Sequence, residues 1–200
     1  MLFQIEPPQP SAASLAFTLI TSRQSILPRR LADPGPTSEQ IEEMFQAAAA
    51  APDHGEIRPW RFVLVPPDRR ADLGSAFAQA LAERDPSATP TQLAQARDKA
   101  LRAPFVALVI ARLGKSEPDI DELERMVSLG AAVQNVLLMA HSFGLGAGLT
   151  SGLAMRSIAV RQLFDLQDGE HAICCLNVGT ALHRKPARLR PAVDSFVSSL

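Results

Sequence analysis

The chain has 200 residues, 46% of them hydrophobic, which is enough to bury the core of one domain. With 20 Lys and Arg against 21 Asp and Glu residues, it lacks the basic excess of a nucleic-acid-binding protein. Its two cysteines, Cys174 and Cys175, are adjacent, so on a strand they would point to opposite faces. This arrangement excludes a disulfide framework, offers no metal-site spacing and favours the reducing cytoplasm.

The chain is expected to begin with an irregular arm over residues 1–12, followed by a single domain over residues 13–200. The first ten residues contain three prolines and lack the positively charged start of a signal peptide. The first helix is predicted over residues 14–22, where apolar residues recur at helical spacing.

The next elements are marked by capping and breaking signals. Thr37 and Gln40 form a capping box that begins the second helix, and Pro52 should end that helix at Ala51, because it disfavours helical geometry in the residue before it. Residues 60–65 alternate in the manner of a strand. A third helix contains the apolar residues between positions 73 and 81.

A second capping box and a buried strand follow. Thr89 and Gln92 flank Pro90 at the start of a helix that should reach about Leu101. Residues 105–111 are continuously apolar, which predicts an interior strand that is covered on both faces.

A long helix is predicted from Asp119 to about Ser142, and no Asp, Glu, Lys or Arg occurs in residues 126–155. A helix that is apolar nearly all round has to be buried. Gln134, Asn135 and the glycine-rich end argue against a membrane span. Because a chain of this size has little other structure to surround the helix, we expect a dimer interface to cover it.

The remaining predicted elements are a short strand over residues 144–150, a helix over 157–164 and a strand over 172–178. Gly144, Gly146 and Gly148 do not form a dinucleotide-binding fingerprint, because Leu149 stands where a glycine is needed and the cluster follows a helix. Gly144 instead suits the left-handed residue at a helix end. The predicted order of elements, with helices first and then short strands separated by helices, indicates the α+β class.

Residues 51–60 form the most informative segment, in which a turn with Pro52, Asp53 and His54 leads through a Pro-Trp step into a strand. Each residue also has a purely structural interpretation. Asp53 could close the turn, His54 could make a local hydrogen bond, and Trp60 could be a core residue.

One short segment could bind a phosphate, and a second segment is rich in basic residues. Arg23, Gln24 and Ser25 combine a planar cation with a hydroxyl donor, as a phosphomonoester requires, although a solvated helix end is the alternative. Lys185 and its arginine neighbours follow the last predicted strand, where any one of them could simply belong to a solvated basic loop.

Taken in order, these segments resemble the FMN-dependent nitroreductase family, particularly its short single-domain members. Residues 51–60 are similar to the family signature A-P-x-H-x-x-x-Q-P-W, residues 23–25 to its R-x-S phosphate segment, and residues 176–186 to its closing strand. The resemblance extends over nearly the whole chain. It implies a three-layer α+β fold with a mainly antiparallel central sheet, in an intertwined homodimer that binds FMN at each subunit interface.

The family chemistry implied is hydride transfer from NAD(P)H through flavin N5 to a nitroaromatic, quinone or similar acceptor, with no catalytic side chain and no metal. Four positions would contact the phosphate or ribityl group: Arg23, Gln24, Ser25 and Lys185. Three would line the ring edge near N5: Leu149, Thr150 and Ser151. Ala50 and His54 would face the flavin from the partner subunit. The open flavin face would be covered by residues 85–91 or by the N-terminal arm.

Four positions depart from the family pattern. Gln24 replaces a second arginine, Ala50 a longer and often basic residue, Arg58 a glutamine, and Leu149 a tryptophan. The loss of two positive charges could weaken FMN binding, and Arg29, Arg30 or Arg58 could compensate, because a cation at the N1–C2 edge stabilises the reduced flavin.

These departures leave two alternatives open. One is a dimeric scaffold without turnover, with or without bound flavin. The other is a sibling flavin reaction on the same scaffold, such as reductive dehalogenation.

Overall fold

The computed structural model describes residues 11–115, 118–184, 186 and 189–200, so most of the expected N-terminal arm lies outside it. Within these ranges the helices are α1 (Ala12–Ser22), α2 (Ser38–Ala49), α3 (Arg70–Arg84), α4 (Pro90–Asp98), α5 (Glu122–Ser142) and α6 (Ile158–Leu163). The strands are β1 (Leu31–Ala32), β2 (Trp60–Leu64), β3 (Phe105–Arg112), β4 (Gly146–Thr150) and β5 (Glu170–Ala181).

The strands named above form one antiparallel sheet with β5 at its centre. β3 pairs along β5 from Phe105 opposite Val178 to Arg112 opposite Glu170, and β2 extends the sheet beyond β3. β4 also pairs with β5, and the short β1 joins the end of β5. The predicted α+β class with a mainly antiparallel sheet is confirmed.

Helices cover both faces of the sheet because the side chains of β3 alternate between two buried clusters. The odd-numbered residues from Phe105 to Ala111 pack with α2 and α5, whereas the even-numbered residues from Val106 to Ile110 pack with α3 and α6. The two cysteines are both free and belong to different clusters, Cys174 on the α5 side and Cys175 on the α3 side. The prediction of an interior strand covered on both faces is confirmed.

Both predicted capping boxes are present, at Thr37 with Gln40 and at Thr89 with Gln92. The end of α2 differs from the prediction. The chain leaves the helix through Ala50, with φ −85° and ψ 5°, before it reaches the residue that Pro52 constrains.

The fold of the chain buries one side of α5 but not the other. Leu129, Ala132 and Val136 lie in the core, whereas the side chains of Leu123 and Val127 are 76% and 73% exposed. No helix in the described part of the chain is long and apolar enough to span a membrane.

Arg70 connects the start of α3, through hydrogen bonds, to the segment that precedes β3. Its buried guanidinium donates hydrogen bonds of 2.6–3.1 Å to the carbonyl oxygens of Val65, Ala100, Ala103 and Pro104. Burial lowers the pKa of Arg70. The side chain therefore sets the distance between α3 and the turn after α4.

Replacing Arg70 with Met should lower the free energy of unfolding by about 3 kcal/mol or more, because each buried carbonyl left without a donor costs roughly 1–3 kcal/mol. Urea denaturation at a fixed protein concentration measures the loss. Arg69→Met is the matched control, since Arg69 only pairs with Asp72 at the surface, where an ion pair contributes less than about 1 kcal/mol. Equal, small losses in the two variants would contradict this role for Arg70.

Candidate active site

The segment that carries Arg23 and Ser25 lies directly against β4. Ser25 forms a parallel bridge with Ala147, and the Ile26 N–H donates to the Ala147 carbonyl oxygen at 2.9 Å. Gly148 permits this approach, because a Cβ there would lie 2.2 Å from the Ile26 carbonyl oxygen. The fold thus brings two predicted cofactor-binding segments side by side, although they are more than a hundred residues apart in sequence.

A group of basic side chains surrounds the end of α1. Arg190 donates to the carbonyl oxygens of Thr21 and Arg23, at 3.4 and 3.3 Å. Arg184 donates to the carbonyl oxygen of Gly144 at 2.8 Å. These arginines belong to the basic tail predicted beside Lys185, which itself lies outside the described residues.

Arg23 is the best enclosed of these cations. Its Nε is buried without a hydrogen-bond partner in the described part of the chain, and its terminal nitrogen lies 3.5 Å from Ser25 Oγ. Burial, and then the charge of Arg190, lowers the pKa of Arg23. None of these three arginines, Arg23, Arg184 and Arg190, forms an ion pair with a carboxylate in the described part of the chain. Cations gathered without a carboxylate form a site that suits an anion.

His141, at the end of α5, belongs to the same group, and sequence reasoning did not single it out. Its Nε2 lies 2.8 Å from Ser22 Oγ. Burial, followed by the charges of Arg184 and Arg23, lowers the pKa of His141 from its ordinary value of 6.5. The folded protein without an anion therefore favours neutral His141.

This lowered pKa predicts a pH dependence of stability. Between the folded pKa and 6.5 the unfolded chain binds more protons at His141, so stability is fully present above pH 6.5 and falls as the pH drops through the folded pKa. We expect His141→Gln to flatten the decline measured by urea denaturation from pH 7.5 to 5.5 in phosphate-free buffer. An equal decline in the wild type and in the His141→Gln variant would contradict this role of His141.

A cavity of about 380 Å³ lies over the α3 face of the sheet, beside the same segments. Two of the predicted ring-edge residues, Thr150 and Ser151, line it, whereas Leu149, which is 44% exposed, does not. Among the described residues that line it, none is acidic and four are basic, namely Arg29, Arg84, Lys99 and Arg102. Of these, sequence reasoning raised only Arg29, because nothing in the local pattern distinguishes the other three from ordinary surface cations.

Buried Asn177 holds β4 at the floor of the cavity. Its Nδ2 donates to the Gly148 carbonyl oxygen at 3.3 Å and to Thr150 Oγ1 at 3.0 Å. The Ser151 hydroxyl donates to the Ile173 carbonyl oxygen at 2.6 Å. These bonds fix the conformation of the predicted ring-edge segment.

Ala50 and His54 are not among the residues of the chain that line this cavity. Ala50 is the exposed C-cap of α2, and His54 Nδ1 lies 2.7 Å from Glu124 Oε2 on the surface of α5. Asp53 accepts a 2.8 Å hydrogen bond from the Arg58 N–H, which closes the predicted turn. Within the chain, the signature segment (residues 51–60) is therefore a structured surface loop.

Comparison with known proteins identifies the family. The model of the nitroreductase family matches residues 20–180. A Haemophilus influenzae protein provisionally named an NAD(P)H nitroreductase is 30% identical over 175 residues, which cover 88% of this chain and 93% of the relative. The Escherichia coli protein YdjA, provisionally named in the same way, is 29% identical and covers 82% of this chain and 87% of its own.

Solved structures agree with this fold. A nitroreductase-like protein from Bacillus cereus superposes with a TM-score of 0.80 at 20% identity, covering 98% of this chain and 99% of its own. The FMN-dependent nitroreductase NfnB of Mycobacterium smegmatis, solved with NADPH, gives a TM-score of 0.73 at 16% identity, covering 95% and 100%. The chain belongs to the nitroreductase family, and its relatives support an oxidoreductase.

Proposed function

We propose that the chain is an FMN-dependent oxidoreductase that passes reducing equivalents from NAD(P)H to a nitroaromatic, quinone or similar small acceptor. The observation that carries this proposal is the alignment of the cationic group at Arg23 with the cavity at Thr150. Ser25 lies opposite Ala147, and Thr150 is three residues further along β4, or about 10 Å at 3.3 Å per residue. A ribityl phosphate chain would bridge a separation of this order.

The residues at both ends fit FMN. At the phosphate end, Arg23, Arg184 and Arg190 supply charge-assisted donors, Ser25 supplies a hydroxyl, and the buried Arg23 Nε has an unused N–H. Gln24 and Lys185 are proposed as further contacts there. At the ring end, Thr150 and Ser151 are held by Asn177 and Ile173, and Leu149 is proposed to contact the ring edge from outside the cavity.

When bound, FMN would supply hydride acceptance and donation at N5, and the protein would supply position and electrostatics. Of the three arginines considered as compensating cations, only Arg29 lines the cavity, whereas Arg30 and Arg58 do not. Arg29 is therefore the residue proposed to face the N1–C2 edge.

Replacing Arg29 with Met should lower the reduction potential of the bound flavin by about 20–60 mV, because the loss of a nearby cation costs the reduced form roughly 1–3 kcal/mol. Arg30→Met is the matched control and should leave the potential near that of the wild type. Arg58→Met tests whether the partner's signature segment, which also carries His54, adds to the effect. Equilibration of the FMN-loaded proteins with reference dyes measures all three. Unchanged reduction potentials in all three variants would contradict the proposed compensation.

A second copy of the chain is proposed to complete the site. α1 contains no buried residue, and Leu15, Phe17 and Ile20 on it are 56%, 71% and 52% exposed. Leu123 and Val127 of α5 are also exposed. A homodimer would cover these apolar side chains and would bring Ala50 and His54 of one subunit to the flavin of the other.

The experiment that tests this function is an absorption spectrum of the purified protein after reconstitution with FMN, followed by anaerobic titration with NADPH. A retained flavin band that NADPH bleaches and a nitroaromatic restores is the expected result. A colourless protein that cannot be reconstituted would favour the scaffold alternative. Reoxidation by halogenated compounds alone would favour the sibling reaction.

A further inference from the structure

The face of α3 that lines the cavity ends in a cation. Leu73, Phe77, Leu81 and Arg84 line it together, and their spacing of four, four and three residues places them on one helical face. From Leu73 to Arg84 this strip is about 16 Å long at 1.5 Å per residue. The cavity wall is thus an apolar strip that finishes in a guanidinium.

A second guanidinium comes from the turn after α4. Arg102 lines the same cavity, and Ala96 and Ala100 add small apolar surface beside it. Within the described ranges, neither Arg84 nor Arg102 forms an ion pair with a carboxylate, and no acidic residue lines the cavity. A ligand with an apolar body and an anionic group would match both the strip and the two cations.

We propose that this part of the cavity selects an electron acceptor with an aromatic body and a carboxylate or similar anion, and that Arg84 and Arg102 bind the anion. A guanidinium suits this task because it is always charged and can donate two parallel hydrogen bonds to a carboxylate. The inference rests on the proposed oxidoreductase function and specifies its acceptor. For a nitro acceptor, one hydride from NAD(P)H and one proton from solvent convert the nitro group to a nitroso group and water.

Paired acceptors that differ only in charge test this selectivity. With 4-nitrobenzoate and neutral 4-nitrobenzamide, we expect the wild-type kcat/KM to favour the anion by about tenfold or more. The Arg84→Gln, Arg102→Gln double variant should lose that preference and retain activity on the amide. Arg97→Gln is the control, because Arg97 is an exposed residue of α4 that does not line the cavity.

Two further measurements separate this inference from its alternatives. Calorimetry of 2-naphthoate and 2-naphthamide with the purified protein measures binding without turnover, and only the naphthoate affinity should fall in the double variant. The single-turnover rates at which NADH and NADPH reduce the bound flavin should be the same in the double variant as in the wild type. If NADPH reduced the flavin more slowly in the double variant while naphthoate binding stayed unchanged, the inference would be overturned, because the cations would then bind the dinucleotide.

Equal kcat/KM values for the acid and the amide in an active, flavin-loaded wild type would also overturn the inference and leave the proposed function intact. Failure to bind FMN would contradict the proposed function instead, and the calorimetry would still decide whether the cavity prefers an anion.

Discussion

Replacement of Arg23 with Met is expected to weaken FMN binding about 10- to 100-fold and to leave riboflavin binding nearly unchanged. The physical reason is that Arg23 is the enclosed cation of the proposed phosphate site, with a buried Nε that has no partner in the described structure. A charge-assisted hydrogen bond contributes about 1.5–3 kcal/mol, which corresponds to this range of affinity. Riboflavin lacks the phosphate and so isolates the ring contribution.

Quenching of flavin fluorescence on titration with apoprotein measures both affinities. Arg97→Met removes the same charge from an exposed position outside the cavity and serves as the control. Equal losses of FMN and riboflavin affinity would mean that Arg23 supports the fold rather than the phosphate. Unchanged FMN affinity would place the phosphate elsewhere.

Gly148→Ala is expected to lower the free energy of unfolding by about 3 kcal/mol or more. An added Cβ would stand 2.2 Å from the Ile26 carbonyl oxygen, which belongs to backbone that is hydrogen-bonded to Ala147 and has little freedom to move. Overpacking of this kind costs about 1–3 kcal/mol even where side chains can adjust, and here the obstacle is main chain. The change should also separate the Arg23 segment from β4 and so abolish FMN retention.

Urea denaturation and the flavin content of the purified variant are the two measurements. A variant as stable as the wild type that still retains FMN would show that the close approach of residues 25–26 to β4 does not organise the site.

Local rules predicted much of the fold. Two capping boxes, the left-handed Gly144 with φ 77° and the apolar run of β3 each depend on neighbouring residues, and each is present. The resemblance of residues 23–25 and 149–151 to family segments also led to the expectation that both belong to one site. In the structure, Ser25 lies opposite Ala147 on the strand that contains Leu149 and Thr150.

Other features depend on contacts between distant segments and could not be predicted in this way. The four cations of the cavity come from three separate parts of the chain, and a surface arginine such as Arg84 has the same local pattern as one outside the cavity. His141 joined the basic group only because α5 ends beside α1. The apolar character of α5 predicted burial, but a single chain covers only part of the helix.

Sedimentation equilibrium of the FMN-reconstituted protein, recorded both at the protein absorbance and at the visible flavin band, tests the central claim most directly. We expect one species of twice the 21.5 kDa chain mass that carries one flavin per chain. A species of 21.5 kDa that retains the flavin, or a dimer that sediments without it, would contradict a site assembled from two subunits around FMN.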